Sequence, residues 1–187
     1  MTPKELYNKK LLYEAHKVVP FCPRCETPLS THEVAQGYKE VNIDAVIVVM
    51  KLKNEANTYF LVWTTTPWTL MANVALVVNP NETYVKVESR EYNFILAKSL
   101  VNKVLGDEYK ILDTYQGKDL EYMGYEQLVP YIEINEKAFY VTCADYVTCA
   151  DGTGIVHVAP AFGEEDYQIG IKYNLPFVNP INDDGKY

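Results

Sequence analysis

The chain has 187 residues, 48% of them apolar and 22% charged, and a formal net charge of −8. This balance fits one globular domain with a real core, alone or with a small appendage, and excludes disordered and collagen-like chains. The acidic excess argues against broad, nonspecific nucleic-acid binding, so an RNA partner would be touched over a small area only.

The first 17 residues carry Lys4, Lys9, Lys10 and Lys17 and lack the unbroken apolar stretch of a signal peptide. No run approaches the roughly 20 apolar residues of a membrane span. A soluble, cytoplasmic protein with no membrane partner is expected. Residues 4–19 are predicted to form a helix ending at Pro20, with Leu6, Leu11, Leu12 and Ala15 on its apolar side. The tight knuckle Cys22-Pro-Arg-Cys25 follows.

Beyond it the pattern turns to β. Strands are expected over residues 41–50, 58–63, 74–78, 83–88, 92–97, 109–115, 138–143 and 154–159, separated by turn signals such as Asn79-Pro80-Asn81. Helices are expected over 98–105 and 164–173. Many short strands with few helices predict a mainly β fold, a closed or nearly closed barrel. The 16 tyrosines suit half-buried pleated surfaces, with an RNA-stacking platform as the alternative use. An N-terminal unit, residues 1–35, and a barrel domain, residues 36–187, are the expected divisions. The turn signal Asn182-Asp183-Asp184-Gly185 lies two residues from the last one, and the knuckle lacks a second Cys-x-x-Cys, so the chain reads as an excised piece.

Four cysteines do not make a disulfide scaffold at this size. Cys143 and Cys149 fall in strand-like segments and read as small buried apolar residues. Cys22 and Cys25 have zinc-ligand spacing, but a structural site needs four ligands. With His32 the only further candidate nearby, they form a half site.

Two strings carry chemistry. In Trp63-Thr64-Thr65-Thr66-Pro67-Trp68-Thr69, Thr64 and Thr66 should point one way and Thr65 the other, with Pro67 ending the strand. Stiff threonines can wall a small, partly polar pocket, although composition alone is equally served by a solvent-facing strand. The second string runs from Gly152 to Tyr167: a turn, an apolar strand bearing His157, and a loop through Phe162 into a helix with Asp166 near its start. A core histidine and a helix-dipole carboxylate are the bland alternatives.

Together, Thr64-Thr-Thr-Pro-Trp-Thr69-Leu with Ala72-Asn73, and Gly152-Thr-Gly-x-Val-His157-x-Ala-Pro-Ala-Phe162-Gly-Glu-x-Asp166-Tyr, closely resemble the editing domain inserted in class I isoleucyl-tRNA synthetases. The likeness runs from about Pro20 to Tyr187. Valyl and leucyl relatives typically carry Thr-Thr-Arg-Pro and Pro-Ala-His-Asp at these places. Met71 departs from the usual proline.

The resemblance implies a β-barrel editing domain that hydrolyses Val-tRNA(Ile), with valyl-adenylate as a further substrate. Clearance of Thr-tRNA(Val) and a non-catalytic acceptor-end binding module are the alternatives. It implies that Asp166 grips the ammonium group, that Thr66 and Asn73 fix substrate or water, and that Thr64, Thr65, Trp68, Thr69 and Phe162 shape the pocket. His157 would be the stop against isoleucine. The implied partners are the tRNA acceptor end, valine and the rest of the synthetase. No cofactor is needed for editing, and a structural zinc would belong to the intact enzyme. The His-x-Gly-His and Lys-Met-Ser-Lys-Ser signatures of aminoacylation do not occur in the chain.

Overall fold

In the computed structural model, residues 2–187 are described; Met1, the first residue of the expected N-terminal unit, lies outside them. Local signals cut the first helix short. Helix α1 (Pro3–Asn8) starts with a proline at its first turn and a capping box, in which Thr2 N–H donates to the Glu5 carboxylate at 2.7 Å and Glu5 N–H to Thr2 Oγ1 at 3.3 Å. The helix predicted over residues 4–19 does not continue: Lys10 takes φ +56, and Leu11 and Leu12 remain exposed with no face to pack on. Without tertiary burial so short a helix has little reason to extend.

Strands β1 (Phe21–Cys22) and β2 (Thr27–Pro28) pair as a small hairpin around the knuckle. Helix α2 (Thr31–Ala35) was not foreseen, although Ser30-x-x-Glu33 is a capping box, with Ser30 N–H donating to Glu33 at 2.8 Å. Residues 36–45 form neither helix nor strand, so the strand expected from residue 41 begins later.

The main sheet is built from β3 (Val46–Lys51), β4 (Thr58–Thr64), β5 (Ala75–Val78), β6 (Thr83–Ser89), β7 (Tyr92–Ala97), β8 (Lys110–Gln116), β9 (Tyr140–Cys143) and β10 (Ile155–Val158). Its order is β8-β6-β7-β4-β10-β5-β9, with β3 paired to β4 from outside that path. Strand β4 is the branch point. One edge pairs with β3 along its length; the other pairs with β7 at residues 58–60 and with β10 at Trp63. The expected mainly β architecture is present as a curled half-barrel.

The concave side holds the main core, including Phe60, Val62, Leu76, Ile95, Leu120, Tyr125 and Ile155. Two smaller clusters sit elsewhere. Helix α3 (Val101–Leu105), preceded by a 3-10 turn over Lys98–Leu100 where one helix was expected, contributes Val101 to a cluster with Leu61, Val85 and Leu96. Helix α4 (Glu164–Tyr173) sets Ile169 against Ala75, Val77 and Val158. Strand β5, apolar throughout, is thus buried on both faces. Buried Tyr84 donates to the Gly154 carbonyl at 2.7 Å, so its hydroxyl is satisfied in the core. Among the described residues no helix is long and apolar enough to cross a membrane.

Candidate functional site

Strands β4 and β10 are parallel, so their C-terminal ends emerge at one edge of the sheet. Alternation decides what they present there. Phe60 and Val62 enter the main core and Thr64 continues their face; Ile155 enters the same core and His157 continues it. The polar cluster therefore continues the core-facing side of the two strands beyond their apolar residues.

After Thr64 the chain turns into a 3-10 segment, Pro67–Ala72, with Pro67 at its first turn. That turn brings Thr69 back toward Thr66. Thr66 N–H donates to Thr64 Oγ1 at 3.0 Å, and the Thr64 and Thr66 hydroxyls lie 3.4 Å apart. The Thr66 and Thr69 hydroxyls are 3.2 Å apart, Thr69 donates to the Thr66 carbonyl at 2.8 Å, and Thr69 Oγ1 meets His157 Nε2 at 3.1 Å. The two sequence strings, 88 residues apart, thus join in one network. His157 is 5% exposed, and its Nδ1 has no partner among the described residues. Burial pushes its pKa down to about 4, so the ring is neutral at pH 7.

Asp166 stands at the first turn of α4. Glu164 and Glu165 face solvent there, whereas Asp166 turns inward and accepts from the Ala159 N–H at 2.9 Å. That backbone group lies two residues past His157, so the carboxylate is pinned to the same edge of the sheet. Burial raises the Asp166 pKa to about 6; the Ala159 hydrogen bond opposes the rise and the Glu165 charge adds to it.

The other predicted residues are less uniformly placed. Thr65, Thr66 and Phe162 are half-buried, and Trp68 is exposed with its carbonyl accepting from the Tyr187 hydroxyl at 2.6 Å. The Asn73 carboxamide is committed to the core: Nδ2 donates to the Ala75 carbonyl at 2.8 Å, and Oδ1 accepts from the fully buried Tyr125 hydroxyl at 2.6 Å. It makes no hydrogen bond to the threonine network. Asn73→Ala strands both partners, and a lost buried hydrogen-bond partner costs about 1–3 kcal/mol. Thermal unfolding is expected to show the loss, with Tyr125→Phe milder because it removes the buried donor with the bond.

A cleft of about 320 Å³ lies beside this edge, lined by Trp63, Tyr146, Val147, Thr148, Asp151 and Val156 among others. Trp63 and Val156 are the alternating neighbours of Thr64 and His157, so the cleft opens on the opposite face of the same two strands. Burial, with the Asp166 and Glu165 charges adding to it, holds the Tyr146 hydroxyl protonated there. Sequence reading missed the cleft, although the same alternation that groups Thr64 with Thr66 turns Trp63 away from them. Trp63 in turn packs closely on Gly152, at φ +73, where an added Cβ would sit 2.7 Å from the Trp63 ring. Gly152→Ala is expected to destabilise by about 2–4 kcal/mol, from the left-handed backbone plus overpacking. A lower melting temperature with a shifted tryptophan emission would report it.

The knuckle offers only Cys22 and Cys25, with Cys25 N–H donating to Cys22 Sγ at 3.4 Å. That contact lowers the Cys22 pKa, and the shared thiol hydrogen bond raises that of Cys25. The third candidate, His32, is engaged by Gln36 at 3.0 Å. Among the described residues no group of three or more metal-ligating side chains forms, so the knuckle remains the half site expected from its spacing. Cys143 is buried in β9, but Cys149 lies in a loop and not in the expected strand, because the chain bends there toward the glycine turn.

The curled half-barrel that brings the two motif strings together is the architecture expected of an editing domain of a class I aminoacyl-tRNA synthetase. Comparisons agree. Residues 43–187 match the family profile described as leucyl-tRNA synthetase, editing domain. The chain is 51% identical over 184 residues to the isoleucine–tRNA ligase of Clostridium tetani and 52% identical over 184 residues to that of Clostridium novyi, spanning 98% of this chain and 18% of each relative. Among solved structures, the editing domain of the Plasmodium knowlesi cytosolic leucyl-tRNA synthetase shares the fold, with a TM-score of 0.57 at 13% identity, covering 70% of this chain and 64% of that one. The chain belongs to the leucyl-tRNA synthetase editing-domain family, and within it to the isoleucyl type.

Proposed function

We propose that this domain hydrolyses valine from Val-tRNA(Ile), and valyl-adenylate as well, acting within an isoleucyl-tRNA synthetase. The observation that carries the reading is the meeting of the Thr64, Thr66 and Thr69 hydroxyls with His157 at the edge where Asp166 is anchored. A carboxylate accepts a charge-assisted hydrogen bond from an ammonium group, which fixes the aminoacyl end.

In the reaction, water adds to the ester carbonyl carbon, the carbon–ribose oxygen bond breaks, and the ribose oxygen leaves with a proton. The products are valine and uncharged tRNA. Such an ester is intrinsically reactive, so orientation against a held water supplies the main acceleration. Thr66 is the least buried residue of the network and the candidate to hold that water. Among the described residues no serine or cysteine is paired with His157, and the Thr69 proton is committed to the Thr66 carbonyl, so no covalent intermediate is invoked. A second sieve is needed because one methylene in an apolar pocket separates amino acids only weakly, a limit for which isoleucyl-tRNA synthetase is itself the standard illustration. In the intact enzyme, Cys22 and Cys25 would contribute half of a structural zinc site.

The test is deacylation by this chain of Val-tRNA(Ile), Ile-tRNA(Ile) and Thr-tRNA(Val). Preference for the first supports the proposal and preference for the last assigns the valyl sibling activity. Equal rates on all three defeat it, and salt-sensitive tRNA binding without ester loss leaves a mere binding module.

A further inference from the structure

We infer that Thr69 is a positioning residue: it holds the His157 ring as the Nε2–H tautomer, so that Nδ1 is a bare acceptor for an O–H or N–H donor on the bound aminoacyl-nucleoside end. The second half deepens the proposed editing function and rests on it; the first half stands on hydrogen-bond accounting alone.

A threonine hydroxyl has one proton and two lone pairs. The proton of Thr69 goes to the Thr66 carbonyl at 2.8 Å, its shortest contact. Thr69 Oγ1 can then only accept, from the Thr66 hydroxyl at 3.2 Å and from His157 Nε2 at 3.1 Å. Nε2 must therefore carry the ring proton. The direction propagates: Thr66 gives its proton to Thr69, and Thr64, which accepts from the Thr66 N–H at 3.0 Å, gives its own to Thr66 across 3.4 Å. With both lone pairs of Thr69 filled, it has nothing left to offer a substrate.

The remaining ring nitrogen, Nδ1, is sealed from bulk solvent and has no partner among the described residues. A neutral imidazole with one nitrogen fixed as donor presents the other as acceptor. The depressed basicity of the ring keeps it so at neutral pH. Asp166 accepts hydrogen bonds and cannot serve Nδ1, and the Ala159 N–H is already taken by Asp166. The donors an aminoacyl ribose brings are its ammonium group and the hydroxyl next to the ester. Both share the chemistry that Nδ1 lacks.

The experiment is nitrogen-15 NMR of the histidine rings in the full chain, which has 3 histidines. At neutral pH the His157 ring is expected to show a protonated Nε2 and an unprotonated Nδ1. Thr69→Val, which keeps the shape and removes the acceptor, is expected to move proton occupancy toward Nδ1, and Thr69→Ser to restore the original pattern. A protonated Nδ1 in the unmutated chain, or a tautomer unchanged in Thr69→Val, overturns the positioning role.

Two probes address the second half: valine joined through an amide to the 3′ carbon of adenosine, and the same compound lacking the neighbouring ribose hydroxyl. A Nδ1 shift with the first alone assigns the donor to the hydroxyl; a shift with both assigns it to the ammonium group. Binding without either shift overturns the acceptor role. If neither probe binds, the editing proposal and this half fall, while the tautomer result is read from the free protein. Thr69→Val is further expected to lower kcat/KM on Val-tRNA(Ile) by roughly 2- to 10-fold, mainly through a raised KM, as for the loss of one hydrogen bond already made in the bound state. Rescue by Thr69→Ser is required.

Discussion

Asp166→Asn is expected to slow deacylation of Val-tRNA(Ile) by about a hundredfold and, at pH 7, to make the protein more stable. The first effect follows from removing one partner of a buried charge pair, which costs about 2–5 kcal/mol in the complex. At roughly 1.4 kcal/mol per tenfold, a hundredfold is about 2.8 kcal/mol, in the lower part of that range. The second follows from the raised pKa of about 6 against the ordinary 3.8. The folded state prefers the neutral acid. Its stabilising contribution is fully present below pH 3.8 and is lost as pH rises through about 6.

At pH 7, then, the native protein holds a half-buried charge that asparagine does not carry, while the asparagine carbonyl still accepts from the Ala159 N–H. The gain is bounded at about 3 kcal/mol by the size of the shift, and partial exposure reduces it to roughly 1–2 kcal/mol. For a domain of this size each kcal/mol is worth about 2–4 °C. Calorimetry at pH 7 and pH 4 with a deacylation assay checks both effects. A variant that melts lower than the unmutated protein at pH 7, or edits at the normal rate, contradicts the assignment. For the unmutated enzyme, kcat/KM should rise with pH through about 6 and then level, since it reports the free carboxylate.

What could be read from the sequence was what local periodicity writes into it. The short apolar, aromatic-rich run within Thr58–Thr64, the uniformly apolar Ala75–Val78 and the amphipathic Glu164–Tyr173 each state their element, because tertiary packing here reinforces the local pattern. Residues 4–19 misled for the converse reason. Their apolar stripe is real, but among the described residues nothing covers Leu11 and Leu12, so propensity alone could not sustain a second and third turn. The site was legible as two strings and illegible as a shape. Tyr125, which holds Asn73 across 52 residues, carries no motif of its own. The nearness of Tyr146 to Asp166 depends on how the loop before β10 crosses the sheet, which no local spacing encodes.

His157→Ala is expected to open the pocket to isoleucine. In the unmutated domain the ring is held by Thr69 and cannot retreat, so an extra methylene must overpack a rigid wall at about 1–3 kcal/mol, or roughly 5- to 150-fold against Ile-tRNA(Ile). Removing the ring should bring the two rates together, with the rate on Val-tRNA(Ile) falling by less than about tenfold. The competing role, general base, predicts a fall of about 10²- to 10⁴-fold on valine with no gain on isoleucine. A pKa near 4 already speaks against it, since so weak a base has little driving force at pH 7.

The same substitution has a signature in acid. The buried neutral ring contributes stability that is fully present above pH 6.5 and is lost as pH falls through about 4, opposite in sign to Asp166 over nearly the same window. In the unmutated protein the two slopes largely cancel. Single replacements unmask them: Asp166→Asn should lose stability between pH 6.5 and 4, and His157→Ala should gain it, although the cavity makes the latter less stable overall. Equal acid slopes in urea unfolding for both variants and their parent would show that the two groups do not share this environment.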